Sequence, residues 1–434
     1  MPPAGEQTPR NELNSRTMPA ALLVLSNGHG EDLIAERVLR ALKGEHPELV
    51  VAVLPLVGEG HAYRQAEAEG WLERVGPRQA LPSGGFSNQS LSGLLRDLGA
   101  GLPLLSWRQW RLIRRWGRSG RPILAVGDLL PLLLAWASGS RFAFIGTPKS
   151  DHTWATPHPA PSLFTRIADG YHRCKGSEWD PWEWALMRSR RCRFVAMRDA
   201  LTAMGLRRHG VAAEAPGNPM MDGFRRAPLP ASFEGRRRLL LLGGSRLPES
   251  VHNLQRLLAA CCDLPAEPKR VLLLATGREP GAQTVSSLAA AAGFTPREIP
   301  PGSGASQAWD RQGQWLLHGP GQFETWAPWA ELGLATAGTA TEQLVGLGSP
   351  ALSLPGPGPQ FKSGFAWRQS RLLDGAVTPC PSRRALSDRT LGLLADADAC
   401  RRLGERGQQR MGPAGGSAAL ARRLNETLLQ RQAS

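Results

Sequence analysis

One pattern recurs along the whole sequence: a short apolar run, a small polar turn, then residues with helical spacing. "LLVL" at 22–25 runs into "SNGHGED", "ILAV" at 123–126 into "GDLL", and "LLLL" at 239–242 into "GGSRLPES". Apolar runs without alternation are what strands buried on both faces require, and helices between them are the crossovers that parallel strands need. The pattern therefore predicts an α/β fold with parallel sheets. At 434 residues the chain is longer than one core usually supports, so two domains are expected.

In the first half the predicted strands are Leu22–Leu25, Val50–Leu54, Ile123–Val126, Phe142–Ile145, Phe194–Met197 and a short one near Val211–Ala213. Helices are predicted from Glu31 to Lys43, Leu129 to Ala137 and Asp199 to Arg208. The Pro/Gly/Arg-rich stretch "APGNPMMDGFRRAPLPASFEGRRR" (215–238) breaks the pattern and reads as a connection between domains. A second series follows, with strands at Leu239–Leu242, Val271–Ala275, Trp315–Leu317, Leu334–Thr336 and Ala351–Leu354. The resulting division is a disordered tail at 1–17, a Rossmann-like domain at 18–222, a linker at 223–238, a second Rossmann-like domain at 239–410 and a closing helix at 411–434. In that last segment Leu420, Leu424 and Leu428 share one helical face.

Charge narrows the partners. Lys and Arg number 52 against 37 Asp and Glu, a formal +15, which favours anionic ligands or surfaces. The six cysteines form no C-x-x-C pair, so neither a metal site nor a disulfide framework is indicated. The first residues lack the apolar core of a signal peptide, and no apolar stretch is long enough to span a membrane. A cytoplasmic protein, peripheral at the inner face of a membrane, is the expectation.

Two stretches have the chemistry of phosphate cradles. In "LLLLGGSRLPES" a buried strand enters Gly243, Gly244, Ser245 and Arg246 just before a helix, where free N–H groups, the helix N-terminus and a guanidinium can hold a diphosphate. In "ATAGTATEQLVGLGSPALSLPGPGPQ" (335–360) Gly338, Thr339 and Thr341 stand at a second strand-to-helix junction. Glu342 or Gln343 is there within reach of a ribose, and Gln360 closes a further loop on the same edge. Neither stretch is G-x-G-x-x-G or a P-loop, which disfavours a nicotinamide enzyme or an NTPase. An ordinary glycine turn is the alternative in each case.

These residues together resemble the lipid-A-disaccharide synthases and their related proteins, glycosyltransferases built from two Rossmann-like domains facing across a cleft (GT-B type). "GGSRLPE" is similar to the family's P-G-S-R-x-x-E loop, "AGTATEQ" to its S-G-T-A-T-L-E helix opening, "GNPMMD" (217–222) to its G-[HN]-P-x-x-D connection, and "AVGD" (125–128) to a strand ending in a catalytic aspartate. Asp32 falls where the family has the last residue of G-E-x-S-G-D. The resemblance covers roughly residues 20 to 425. Two positions depart from it: Gln343 stands where the family has a donor-binding carboxylate, and "LLPLLLAW" (129–136) replaces P-D-F-N.

The resemblance implies a UDP-sugar donor held by the second domain, an acceptor presented by the first, inversion at the sugar, and no metal or other cofactor. Asp128 is then the leading base and His29 and Asp32 the next candidates, although both aspartates could equally be helix caps. Asn218, Arg198 and Asp199 are weaker candidates. The only D-x-D, Asp396-Ala397-Asp398, reads as solvated surface.

"LLSWRQWRLIRRWGRSGRP" (104–122) is a basic amphipathic helix. Its arginines, Arg111, Arg114 and Arg115 among them, fall in an arc of ~120°, and Trp107, Trp110 and Trp116 are placed for a membrane interface. It could equally pack on the sheet with a solvated basic face, with 84–104 as an acceptor loop. Trp179, Trp182 and Trp184 are read as packing, or as the lining of a lipid or sugar site. A lipid acceptor and an anionic membrane surface are the expected partners besides the UDP-sugar. A UDP-sugar 2-epimerase on the same frame is the alternative, and a non-catalytic basic nucleic-acid-binding protein a third reading.

Overall fold

The computed structural model describes residues 21–77, 102–156, 162–225, 227–244, 246–265, 269–336, 338–356 and 362–430. The tail at 1–17, most of 84–104, Ser245 and Gln360 lie outside the described residues.

The first sheet has seven strands: β1 Ala21–Ser26, β2 Val50–Pro55, β3 Leu72–Arg74, β4 Ile123–Gly127, β5 Phe142–Gly146, β6 Cys192–Met197 and β7 Ala213–Glu214. They are ordered β3-β2-β1-β4-β5-β6-β7 and every pairing is parallel. Leu22, Leu23, Val24 and Leu25 of β1 are all fully buried, so alternate side chains feed both faces. Each such side chain contributes roughly 1.5–3 kcal/mol relative to exposure. One face is covered by α1 (His29–Glu45); the other by α2 (Leu102–Arg118), α3 (Leu129–Ala137), α5 (Pro181–Met187) and α6 (Ala200–Arg208). Between α3 and α5 lies α4 (Leu163–Lys175), which buries none of its residues.

The second sheet has eight strands: β8 Arg237–Leu242, β9 Arg270–Thr276, β10 Thr295–Pro296, β11 Gln307–Arg311, β12 Gln314–Pro320, β13 Leu332–Ala335, β14 Ala351–Ser353 and β15 Val377–Pro379. The order is β10-β11-β12-β9-β8-β13-β14-β15, parallel from β12 onward, with an antiparallel extension through β10 and β11. Its helices are α7 (Glu249–Cys262), α8 (Ala282–Ala291), α9 (Thr339–Gly346), α10 (Ser363–Leu372), α11 (Arg383–Ala395) and α12 (Ala397–Met411).

The closing helix α13 (Gly416–Leu424) continues as a π-helical turn over Asn425–Leu429 and packs back on α1 of the first domain. Leu420, Ala421, Leu424 and Leu428 join Leu22, Val24 and Val38 in one core, which runs on through Met220, Met221 and Met411 to Val345 and Val377. The two domains thus share apolar packing where the chain crosses between them. Both crossings are fastened together: the Asp222 carboxylate accepts from Gly415 N (2.5 Å) and Ser417 N (2.7 Å), capping α13. Asn218 Nδ2 donates to Met411 O at 3.2 Å. The stretch at 223–238, read from sequence as a linker, is no free tether, because Phe233 is fully buried in the second domain's core.

Candidate active site

In each sheet the strand order reverses direction at one point, between β1 and β4 in the first and between β8 and β13 in the second. Such switch points leave a crevice at the carboxyl ends of the strands, where open α/β sheets receive ligands. Asn27 and Gly28 follow β1, with Glu31 in the first turn of α1, and Asp128 follows β4; Gly243, Gly244 and Arg246 follow β8, and Gly338 follows β13.

The two crevices face each other. Gly28 caps α1 with φ 117° and ψ 174°, and Gly338 caps α9 with φ 113° and ψ 178°. Both conformations favour glycine. A Cβ placed on Gly30 would come within 3.3 Å of Thr339 Oγ1, so the N-termini of α1 and α9 meet across the cleft. Two helix N-termini aimed at one point concentrate positive potential there.

Acids line the first-domain side. Asp128 Oδ1 accepts from Asn27 Nδ2 (2.8 Å) and from Leu130 N (3.1 Å). It therefore caps α3 while standing at the end of β4. Glu31, which sequence reasoning passed over, lies beside it. At the third helical position its carboxylate turns back over the start of α1, close to Gly28 and within 3.5 Å of Thr147 Oγ1. Burial, with the negative charges of Asp128 and Glu342 added, pushes its pKa up to about 7.

Asp32 is a correction to the expected site. One helical step beyond Glu31, its side chain points into the core, is 2% exposed and accepts from Ser26 Oγ (2.5 Å), which in turn accepts from the buried Tyr63 hydroxyl (2.8 Å). His29 opens α1, and its side chain lies outside the described residues.

On the second-domain side, Gly244 has φ 89° and a Cβ on Gly243 would press on Leu254 N and Ser250 O at 3.3 Å, so both positions suit glycine. Arg246 is half-buried, and its carbonyl accepts from Ser250 N. Thr341 is fully buried and its Oγ1 lacks a partner, as does Gln369 Oε1, while Gln369 Nε2 donates to Gly338 O (3.1 Å). Gln343 is also a correction: it is 4% exposed and donates to Met220 O at 2.8 Å, so it binds the chain crossing and not the cleft. Glu342 does face the cleft, held by Arg198 Nη2 (2.8 Å) and Gln369 Nε2 (3.3 Å).

The weaker candidates are structural. Asn218 holds the crossing, and Asp199 caps α6 through Thr202 N (2.8 Å). Arg198 is the exception, because its pair with Glu342 links the domains. So do Arg37–Glu324 (3.0 Å), Arg368–Glu178 (2.9 Å) and the bidentate Arg371–Asp169 (2.8 and 3.1 Å). Asp396 caps α12 and Asp398 pairs with Arg401, as expected of solvated surface.

The basic helix α2 packs on the sheet through Leu105, Gln109 and Ile113. Trp107 and Trp110 are exposed under Arg111 and Arg114, Arg115 is exposed, and Arg114 Nη1 is bound to Ala137 O. Trp116 is half-buried and donates to Pro122 O. Trp179 and Trp184 are packing residues, against Phe144 and His209, whereas Trp182 is exposed. Among the described residues no helix is long and apolar enough to cross a membrane.

No protein-family model matches the chain, and no curated protein sequence is a significant match. Solved structures do match in fold. CalG4, the calicheamicin glycosyltransferase, aligns with a TM-score of 0.56 at 14% identity, over 95% of this chain and 98% of that one. MnaA of S. aureus, solved with UDP, aligns at 0.53 and 11% identity, over 92% and 94%. A UDP-N-acetylglucosamine 2-epimerase aligns at 0.51 and 12% identity, over 95% and 96%. The chain has the two-domain α/β fold with parallel sheets that GT-B glycosyltransferases share with these epimerases.

Proposed function

We propose that the protein is a UDP-sugar-dependent inverting glycosyltransferase that moves a hexosamine of the N-acetylglucosamine type onto a hydroxyl of a lipid or other membrane-associated acceptor. The observation that carries this reading is the meeting of the α1 and α9 N-termini at the two switch points, with Glu31 and Asp128 beside them. The α9 N-terminus, Thr341 and the Gly243–Arg246 loop are the groups for the diphosphate. The acceptor oxygen attacks the anomeric carbon opposite UDP, the sugar–phosphate bond breaks with its electrons on the phosphate, and the proton passes to the Glu31–Asp128 pair. A carboxyl with a pKa of about 7 is matched to that transfer at neutral pH. Donor groups aimed at the departing phosphate contribute about 10²–10³ in rate each. Calorimetric titration with UDP tests the donor half: binding that weakens in Arg246→Ala supports it, and absence of binding by the parent contradicts it.

One observation favours a second reading. Glu31, Asp128 and Glu342 gather around the same point, and removing and returning a proton at a sugar carbon calls for carboxylates so placed. The protein would then be a UDP-sugar 2-epimerase. Glu342 is already engaged by Arg198 and Gln369, which leaves two carboxylates, both on the first-domain side, and favours the transferase.

A further inference from the structure

Helix α4 is amphipathic in the wrong sense. Thr165, Asp169 and His172 form its half-buried face, while Leu163, Phe164, Ile167 and Tyr171 point outward, with Phe164 84% and Leu163 67% exposed. The polar face is firmly held. Asp169 takes both Arg371 Nη groups from α10, Lys175 pairs with Asp180, and His172 lies 3.6 Å from Glu178. Ser162 caps the start, its Oγ accepting from Thr165 N, and Gly176 ends the helix in the left-handed region. A helix fixed by its polar side and both caps, with its apolar stripe in solvent, is built to cover something apolar.

The stripe is not isolated. Tyr171 OH donates to Asp180, the cap of α5, whose Trp182 is exposed; α5 packs on α3, which exposes Leu130, Leu133 and Trp136; and α3 packs on α2. The charge around these residues is mainly positive, and the acids of the adjoining turn are neutralised, Asp180 by Lys175 and Glu183 by Lys149. Residues 102–175 hold eleven Lys and Arg against three Asp and no Glu. None of the three carboxylates is free on that surface: Asp128 lies in the cleft, Asp151 is buried and Asp169 is bound to Arg371.

We propose that the outward face of α4 docks onto an anionic lipid bilayer, its apolar stripe entering between headgroups while the arginines of α2 and α4 lie along the phosphates. Aromatic and aliphatic side chains ringed by cations are the composition that interfacial helices require, and anionic headgroups supply the complementary charge. The tie from Asp169 to Arg371 of α10, on the opposite side of the helix, fixes α4 against the second domain and leaves the apolar stripe outward. The docking rests on the proposed function only for the nature of the acceptor that such a bilayer would hold.

Flotation of the full-length protein with phosphatidylcholine vesicles, with and without phosphatidylglycerol, tests it, alongside light scattering and UDP titration. The parent is expected to float with the phosphatidylglycerol vesicles and poorly with phosphatidylcholine alone. The double variant Phe164→Ser/Ile167→Ser, altered at exposed positions, is expected to lose about tenfold or more in partitioning with unchanged far-UV circular dichroism and UDP affinity. Equal flotation of parent and variant, or no flotation of the parent, would overturn the proposal. So would a parent dimer that the variant converts to monomer, which would make a second copy the occupant. Failure to bind UDP would instead sink the enzymatic reading and leave the docking result standing.

Discussion

Thr339 Oγ1 stands 3.3 Å from where a Cβ on Gly30 would be placed. The helix starts of the two domains are therefore in close contact at residue 30, and a large side chain there would press directly on α9. Gly30→Leu is expected to hold the domains apart while each folds normally. Turnover should fall about 10²-fold, the scale of a misplacement near 1 Å, with only a modest loss of UDP affinity. Small-angle scattering should show a larger radius of gyration for the variant; an unchanged radius with full turnover would remove the role assigned to Gly30.

Asp128 and Arg246 are assigned to opposite halves of the reaction. Asp128→Asn keeps an acceptor for Leu130 N, so α3 stays capped, and should lose about 10²–10⁴ in turnover with UDP affinity retained. Arg246→Ala should weaken UDP binding by about 10- to 100-fold, as loss of a charge-assisted hydrogen bond does. Titration calorimetry and initial rates on both variants check the assignment, and equal loss of binding in both would contradict it.

Glu31 and Asp32 both have pKa values raised to about 7, in each case first by burial. A carboxyl whose folded pKa exceeds its unfolded one binds more protons when folded. Its contribution is complete below the unfolded pKa and is lost as pH rises to about 7. The parent Tm should therefore fall between about pH 4 and pH 7. Asp32→Asn, which keeps an acceptor for Ser26, should flatten that fall. The activity should run the other way, rising toward pH 7 as Glu31 loses its proton, and Glu31→Gln should abolish that limb. A Tm profile unaltered by Asp32→Asn would refute the buried-acid assignment.

Arg371 and Asp169 are both mostly buried and joined by two hydrogen bonds across the domains. Removing one partner leaves a buried charge uncompensated, so Arg371→Ala should cost about 3–5 kcal/mol. Denaturant unfolding measures this directly. A cost below about 1 kcal/mol would mean that the pair is solvated in solution.

Much of the fold was legible because strands buried on both faces leave unbroken apolar runs: "LLVL" and "LLLL" became the central strands β1 and β8. Edge strands β3, β10 and β15 and the antiparallel strand β11 were not seen, since they are short, partly exposed and lack that signal. The apolar spacing of the closing helix was readable, but not its return to the first domain, because helical periodicity carries no address. For the same reason α4 was missed: a stripe of Leu163, Phe164 and Ile167 reads alike whether it faces a core or solvent. Of two adjacent acids the sequence favoured Asp32 by motif. The phase of α1 turns that residue inward and leaves Glu31 at the cleft, a distinction of one helical step that only the position of the cap at Gly28 decides.

The central claim is transfer to an acceptor, and one measurement addresses it most directly: mass analysis after incubating the protein with UDP-N-acetylglucosamine, alone and with an extracted lipid pool. The account predicts an unchanged sugar nucleotide when alone, and, with lipid, release of UDP together with a lipid heavier by one hexosamine residue. An epimerised sugar nucleotide formed without any acceptor would contradict it and establish the second reading in its place.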